Sequence, residues 1–140
     1  MNNITNFELL QLVGGTSWEE KQQRDFINKY VITLLGFINE NLNGKIKSET
    51  EEYFSQIIKK TPYSEEEIKD FFKKNYPGLD QVITDLVIDF KKQFVISVYQ
   101  EKIRELSANI TSDTLLIKWK KILERALTDD WEGVTKLMKE

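Results

Sequence analysis

The chain has 140 residues, which is enough for about one domain. Its apolar fraction of 40% and charged fraction of 31% are typical of a globular protein. The net charge of −3 provides no overall positive field to attract a phosphate backbone, so we expect no nucleic-acid partner. The absence of Cys and His excludes disulfides, imidazole catalysis and metal sites that need either ligand.

The N-terminal residues have neither the basic region nor the apolar region of a secretory signal. Tyr30–Asn39, one of the two longest stretches without a charged residue, is far shorter than the roughly 18 to 20 apolar residues that cross a bilayer. We therefore expect a cytoplasmic protein without membrane insertion.

Helix-capping and helix-ending signals divide the first part of the chain. A brief helix is predicted from about Phe7 to Val13, because Gly14-Gly15 ends it. Ser17 and Glu20 form the capping-box pattern that begins a first long helix, and Asn43-Gly44 supplies its end. The apolar residues of this helix recur at helical spacing on one face: Ile27, Tyr30, Val31, Leu34, Ile38 and Leu42.

Two further capping boxes predict the next helices. Ser48 with Glu51 begins one, which Pro62 closes because proline cannot donate a hydrogen bond in a helix interior. Ser64 with Glu67 begins a shorter one, which ends before the Tyr-Pro-Gly turn that follows. The acidic residues in its first turn match the preference of helix N-termini for negative charge, and we interpret them so rather than as a cation site.

The longest helical pattern extends from about Leu79 to Leu106. Its first half has apolar residues on a single face, whereas Phe94–Tyr99 is apolar nearly all round. The β-branched residues there could form a strand, but no turn signal flanks the run. We interpret it as part of a buried central helix with a different packing surface at each end. Lysine pairs such as Lys91-Lys92 are assigned to polar faces or helix ends.

The C-terminal part predicts a helical hairpin. Asn109–Ser112 is predicted to be a loop, and Ser112 or Asp113 caps the next helix. Thr128-Asp129-Asp130 interrupts the pattern before a short last helix that begins near Trp131. One face of the first hairpin helix holds its apolar residues: Leu115, Leu116, Trp119, Ile122, Leu123, Ala126 and Leu127.

Together these elements predict an all-α fold. We expect a compact bundle of five to seven helices around the long central helix at about 79–106, with the C-terminal helical hairpin attached. Because no linker rich in Pro, Gly or Ser interrupts the chain, we expect a single domain over 1–140. Its core bundle would comprise about 6–106, and the hairpin would be an extension at about 107–140.

Four motifs mark the stretch from Asn6 to about Phe94, which covers about two thirds of the chain. They are Phe7-Glu-Leu-Leu-Gln-Leu-Val-Gly14, Trp18-Glu-Glu-Lys-Gln22, Glu51-Glu-Tyr-Phe54 and Tyr76-Pro-Gly-Leu-Asp80, followed by Phe90 and Phe94. In these motifs the stretch resembles a family of short, uncharacterised bacterial all-helical domains of unknown function. The resemblance implies a helical fold, and the family offers no catalytic or binding residues to assign.

Aromatic residues are the main indication of function. Three Trp, five Tyr and eight Phe are numerous for this length, and aromatic side chains dominate both cores and interfaces. The last helix is too short to be stable alone, so it must dock on its own domain or on a partner. We expect a non-enzymatic protein-interaction or assembly module that binds a protein partner or a second copy. The candidate interface comprises Trp18, Trp131, Val134, Leu137 and Met138.

The alternative is a small helical carrier that holds an apolar ligand between helices. Its candidate pocket comprises Phe90, Phe94 and Tyr99. No nucleophile has a neighbouring base in the sequence, so we expect neither enzymatic activity nor a cofactor. Asp85 and Asp89 lie four residues apart and are interpreted as a solvated helix edge rather than a metal site.

Overall fold

The computed structural model describes residues 4–42, 65–108 and 113–140, together with Glu52 and Gln56. The three ranges contain six α-helices and no β-strand, so the all-α class is confirmed. A 3-10 turn at Ile4–Asn6 precedes α1 (Leu9–Val13), α2 (Glu20–Asn41), α3 (Glu65–Asn75), α4 (Asp80–Ala108), α5 (Asp113–Leu127) and α6 (Trp131–Lys139).

The predicted long helix is present as α4, and the two C-terminal helices are α5 and α6. The apolar run Phe94–Tyr99 is helical, as its helical surroundings indicated. Helix α3 ends at Asn75, before the predicted turn.

The beginning of α2 differs from the prediction. Its N-cap is Glu19, whose backbone is extended, and not Ser17. The side-chain oxygen of Gln22 accepts a hydrogen bond from the Glu19 N–H at 3.3 Å. Glu8 and Gln11 form the same contact at α1, at 3.0 Å. A Glu-x-x-Gln pair therefore supplies the reciprocal part of the capping box at both helices.

Several predicted features lie outside the described residues. Glu52 and Gln56 are helical, in agreement with the helix that Ser48 and Glu51 predict. Four predictions fall outside the described residues: the helix end at Asn43-Gly44, most of the helix that Pro62 closes, the cap at Ser64 and the loop at Asn109–Ser112.

The described residues pack as two compact units. One consists of those within 18–90, and the other of 4–17 together with those within 91–140. The boundary falls inside α4 after Phe90, so the two parts of this helix contribute to different cores. The single domain over 1–140, with a hairpin extension from about residue 107, stays a prediction.

The 18–90 unit has an aromatic and aliphatic core. The apolar face predicted for α2 is buried along its whole length. The Phe90 ring lies against the rings of Tyr30 and Phe37, with centroid distances of 5.4 and 5.2 Å. Phe72 of α3 is also buried in this unit.

In the other unit, α4 binds the N-terminal segment through its backbone. Lys91, only 1% exposed, donates from Nζ to the Phe7 carbonyl at 2.6 Å. The buried Tyr99 hydroxyl donates to the Leu12 carbonyl. The prediction of a polar-face position is therefore wrong for Lys91, because its ammonium group is hydrogen-bonded inside the unit.

The C-terminal hairpin closes the same unit. Helix α6 packs against both α5 and α1. The connecting turn places Asp129 in the left-handed region, with φ of 59°, which Asp tolerates better than most residues. Asp130 then caps α6 by accepting a hydrogen bond from the Gly133 N–H at 3.0 Å. A Cβ atom at Gly133 would overlap the Asp130 carboxylate, so the cap requires glycine there.

The Tyr99→Phe substitution should lower the free energy of unfolding by about 1 to 3 kcal/mol, because it leaves the buried Leu12 carbonyl without its donor. Urea unfolding measures this loss. The matched control is Ser97→Ala, which removes an exposed hydroxyl that bonds the Phe94 carbonyl on the same helix, and its effect should stay within about 0.5 kcal/mol. Equal effects of the two substitutions would contradict the anchoring role of Tyr99.

Burial raises the pKa of the Tyr99 phenol above its ordinary value of 10.0. Because the folded chain holds this proton more tightly than the unfolded chain, the resulting stability is complete below pH 10 and is lost as the pH rises above it. Above pH 10, unfolding free energy should fall more steeply for the wild type than for Tyr99→Phe, by up to about 1.4 kcal/mol per pH unit. Parallel pH profiles for the two proteins would be inconsistent with this contribution.

The cap of α6 provides a double-mutant test. Asp130→Ala should cost about 0.5 to 2 kcal/mol of unfolding free energy. Gly133→Ala should also destabilise the wild type, because the new Cβ displaces the capping carboxylate. In the Asp130→Ala background the same substitution should instead stabilise by about 0.5 to 1 kcal/mol, since alanine is the better helix former. Additive losses in thermal or urea unfolding would show that the cap and Gly133 are independent.

Candidate interaction surface

Two of the five residues predicted to contact a partner are buried in the core of their own unit. Trp131 is 1% exposed and Val134 is fully buried, because α6 docks on α1 and α5. Neither side chain can contact a partner while α6 is docked. Leu137 and Met138 are half-buried, and the Met138 sulfur lies beside Gly14 at the end of α1. This face of α6 serves the core of its own unit.

Trp18 is placed at the surface of the 18–90 unit. Its side chain is partly exposed, and its ring packs edge-on against Phe26 of the same helix entrance, with a centroid distance of 5.4 Å. This contact joins the segment that leads into α2 to the helix itself. The Trp18 side chain remains partly exposed, but the residues next to it in the sequence include no exposed large apolar side chain.

The three residues predicted to line an apolar pocket are divided between the two units, Phe90 in one and Phe94 and Tyr99 in the other. Phe90 is buried in the 18–90 unit among the rings described above. Tyr99 is buried in the other unit, where its ring centroid lies 6.0 Å from that of Trp119. Phe94 is half-buried. Phe90 and Tyr99 thus fill cores rather than line an open space.

Helix α5 carries the exposed apolar residues of its unit. Ile122 and Ala126 are buried on its inner face. Ile117 and Leu127, by contrast, are 53% and 58% exposed. At 100° per residue, Ile117, Lys120, Glu124 and Leu127 fall within an arc of about 80° centred opposite Ile122, and Asp113, the first residue of α5, lies in the same arc. We call Ile117, Lys120, Glu124 and Leu127 the outer stripe; Lys120 and Glu124 are exposed as well.

Sequence reasoning did not identify the outer stripe. It assigned Leu127 to the packed face, but this residue is at the end of α5 and at the edge of its apolar arc, where α6 does not cover it. Ile117 is not part of the predicted packed face, because it lies off that arc. An isoleucine on an otherwise charged helix face was the available signal, although single exposed apolar residues are common.

A cleft of about 810 Å³ lies along α5, the connecting turn and α6. Its walls carry basic and acidic groups of both hairpin helices, including Glu124 of the outer stripe. Arg125 pairs with Asp130 at 3.2 Å, and Lys136 pairs with Glu132 at 3.6 Å. Because most of its lining side chains are charged, the cleft has the wrong polarity for an apolar ligand.

Two other features are absent from the described ranges. Among those residues, no group of three or more Asp or Glu side chains is arranged to hold a metal ion. The helices found there also include none with the length and apolar character needed to span a membrane.

The chain was compared with protein-family models, with curated proteins and with solved structures, and none of the three comparisons gives a match. The assignment of a function therefore depends on the chain's own residues. Among these, the outer stripe of α5 is the surface whose composition calls for an explanation.

Proposed function

We propose that this protein is a non-enzymatic protein-interaction module that binds another protein chain through the outer stripe of α5. The observation that carries the proposal is the exposure of Ile117 and Leu127 on the side of α5 opposite the buried Ile122 and Ala126, whereas Leu115, near the start of the inner face, is 43% exposed.

Exposed apolar side chains that share one helix face are a common feature of helix-mediated recognition. Half-buried Leu116 and Leu123 flank the outer stripe and widen its apolar area. Helix α5 itself is held in place from behind by Ile122 and Ala126. A partner would therefore meet a preformed helix and would not have to order it, which reduces the entropic cost of binding.

The carrier alternative has less support. A carrier needs an apolar cavity, whereas the cleft beside α5 is lined mostly by charged side chains. The core aromatic residues Phe90 and Tyr99 are already in contact with other rings. Mass spectrometry of an organic extract of the purified protein would favour the carrier only if it detected a stoichiometric apolar ligand.

Site-specific photocrosslinking tests the interaction function without knowledge of the partner. A photoreactive amino acid replaces Ile117 in the protein expressed in its own cells, and Gln100, an exposed residue of α4, is the control position. We expect a defined protein adduct from position 117 and none from position 100. Leu127→Asp in the same chain should abolish the adduct, because it places a charge in the apolar contact.

Circular dichroism of the Leu127→Asp chain verifies that it remains folded, as expected for a change at an exposed position. The interaction function would be contradicted by the absence of any adduct at position 117, or by an adduct that Leu127→Asp leaves unchanged.

A further inference from the structure

The outer stripe has the spacing of a helix-pairing seam. Its members are separated by three, four and three residues, which is the alternation of a and d positions in a heptad. The stripe is also symmetric about position 122, with apolar Ile117 and Leu127 at its ends and the charged residues between them. Lys120 and Glu124 form no ion pair with any other residue of the described ranges.

This symmetry makes the stripe complementary to itself in one orientation. When two α5 helices pack antiparallel about a two-fold axis at position 122, Ile117 of each faces Leu127 of the other. In the same arrangement Lys120 of each faces Glu124 of the other. Every contact then occurs twice, as the two-fold symmetry of an isologous dimer requires.

The parallel orientation is disfavoured by the same residues. Parallel pairing would place Lys120 opposite Lys120 and Glu124 opposite Glu124. Like charges directly opposed in a seam are destabilising. The charge pattern therefore favours the antiparallel over the parallel orientation of two α5 helices.

We propose that the chain forms a homodimer by antiparallel pairing of α5 through the outer stripe. This inference rests on the proposed function and names its partner as a second copy of the chain. Leu116 and Leu123, which are half-buried in the single chain, lie along one side of the seam and extend the apolar contact.

The dimer is a weak one. The outer stripe spans about 15 Å of helix axis, which places the contact at the small end of specific interfaces, and we expect a dissociation constant on the order of 10 to 100 micromolar. Sedimentation equilibrium between about 5 micromolar and 1 millimolar covers this range. The apparent mass should rise from 16.5 kDa toward twice that value.

Charge reversal in the seam provides the specific test. Lys120→Glu alone and Glu124→Lys alone should each weaken the dimer on the order of tenfold, because two attractive pairs become repulsive. An equimolar mixture of the two variants should restore association, since each residue again faces an opposite charge. The double variant Lys120→Glu with Glu124→Lys should also restore it.

The matched control is Lys118→Glu, which makes the same change of charge about 160° around the helix from Lys120 and away from the seam. We expect less than a twofold change in its dissociation constant. Circular dichroism confirms the helix content of each variant, and Leu127→Asp should eliminate the dimer over the whole concentration range.

The outcomes separate this inference from the proposed function. A chain that stays at 16.5 kDa up to 1 millimolar, or charge-reversal variants that behave like Lys118→Glu, would overturn the homodimer. If position 117 still gave a crosslinked adduct with a different protein, the interaction function would stand while the homodimer fell. If neither association nor an adduct were found, both would fall.

Discussion

Two hydrogen bonds from α4 to the main chain of the N-terminal segment hold the unit of 4–17 and 91–140 together. Their donors, on Lys91 and Tyr99, lie 84 and 87 residues from the acceptors. Both donors are buried, so each bond also offsets the cost of removing a polar group from water. With α1 fixed on α4, α6 has a surface on which to dock. The position of the whole hairpin depends on this closure.

The docking of the hairpin gives α5 two different faces. Its inner face, with Ile122 and Ala126, packs within the unit, whereas the outer stripe remains in solvent. A helix that served only as scaffold could carry polar residues on its outer side. The exposed Ile117 and Leu127 instead add apolar area that is of no benefit to the isolated chain. A second copy of α5 would bury this area and satisfy the two intervening charges.

Local signals predicted most of the helices, because periodicity and capping act within a few residues. The long α4 and the break before α6 followed from such patterns. The sequence predicted Ser17 as the cap of α2, because serine is a preferred N-cap residue. The structure has Glu19 there, and Gln22 supplies the reciprocal contact. The burial of Lys91 and Trp131 and the exposure of Leu127 depend on contacts between distant segments. No pattern along the sequence contains that information.

The distance between two labelled α5 helices tests the central claim most directly. The chain has no cysteine, so a single spin label can be attached at Asp113→Cys or at Lys121→Cys. Double electron–electron resonance then measures the distance between the labels of two copies. Antiparallel pairing about position 122 predicts labels about 27 Å apart along the axis at 113 and about 3 Å at 121. Short distances at both positions would indicate parallel helices and contradict the account, as would the absence of any dipolar coupling.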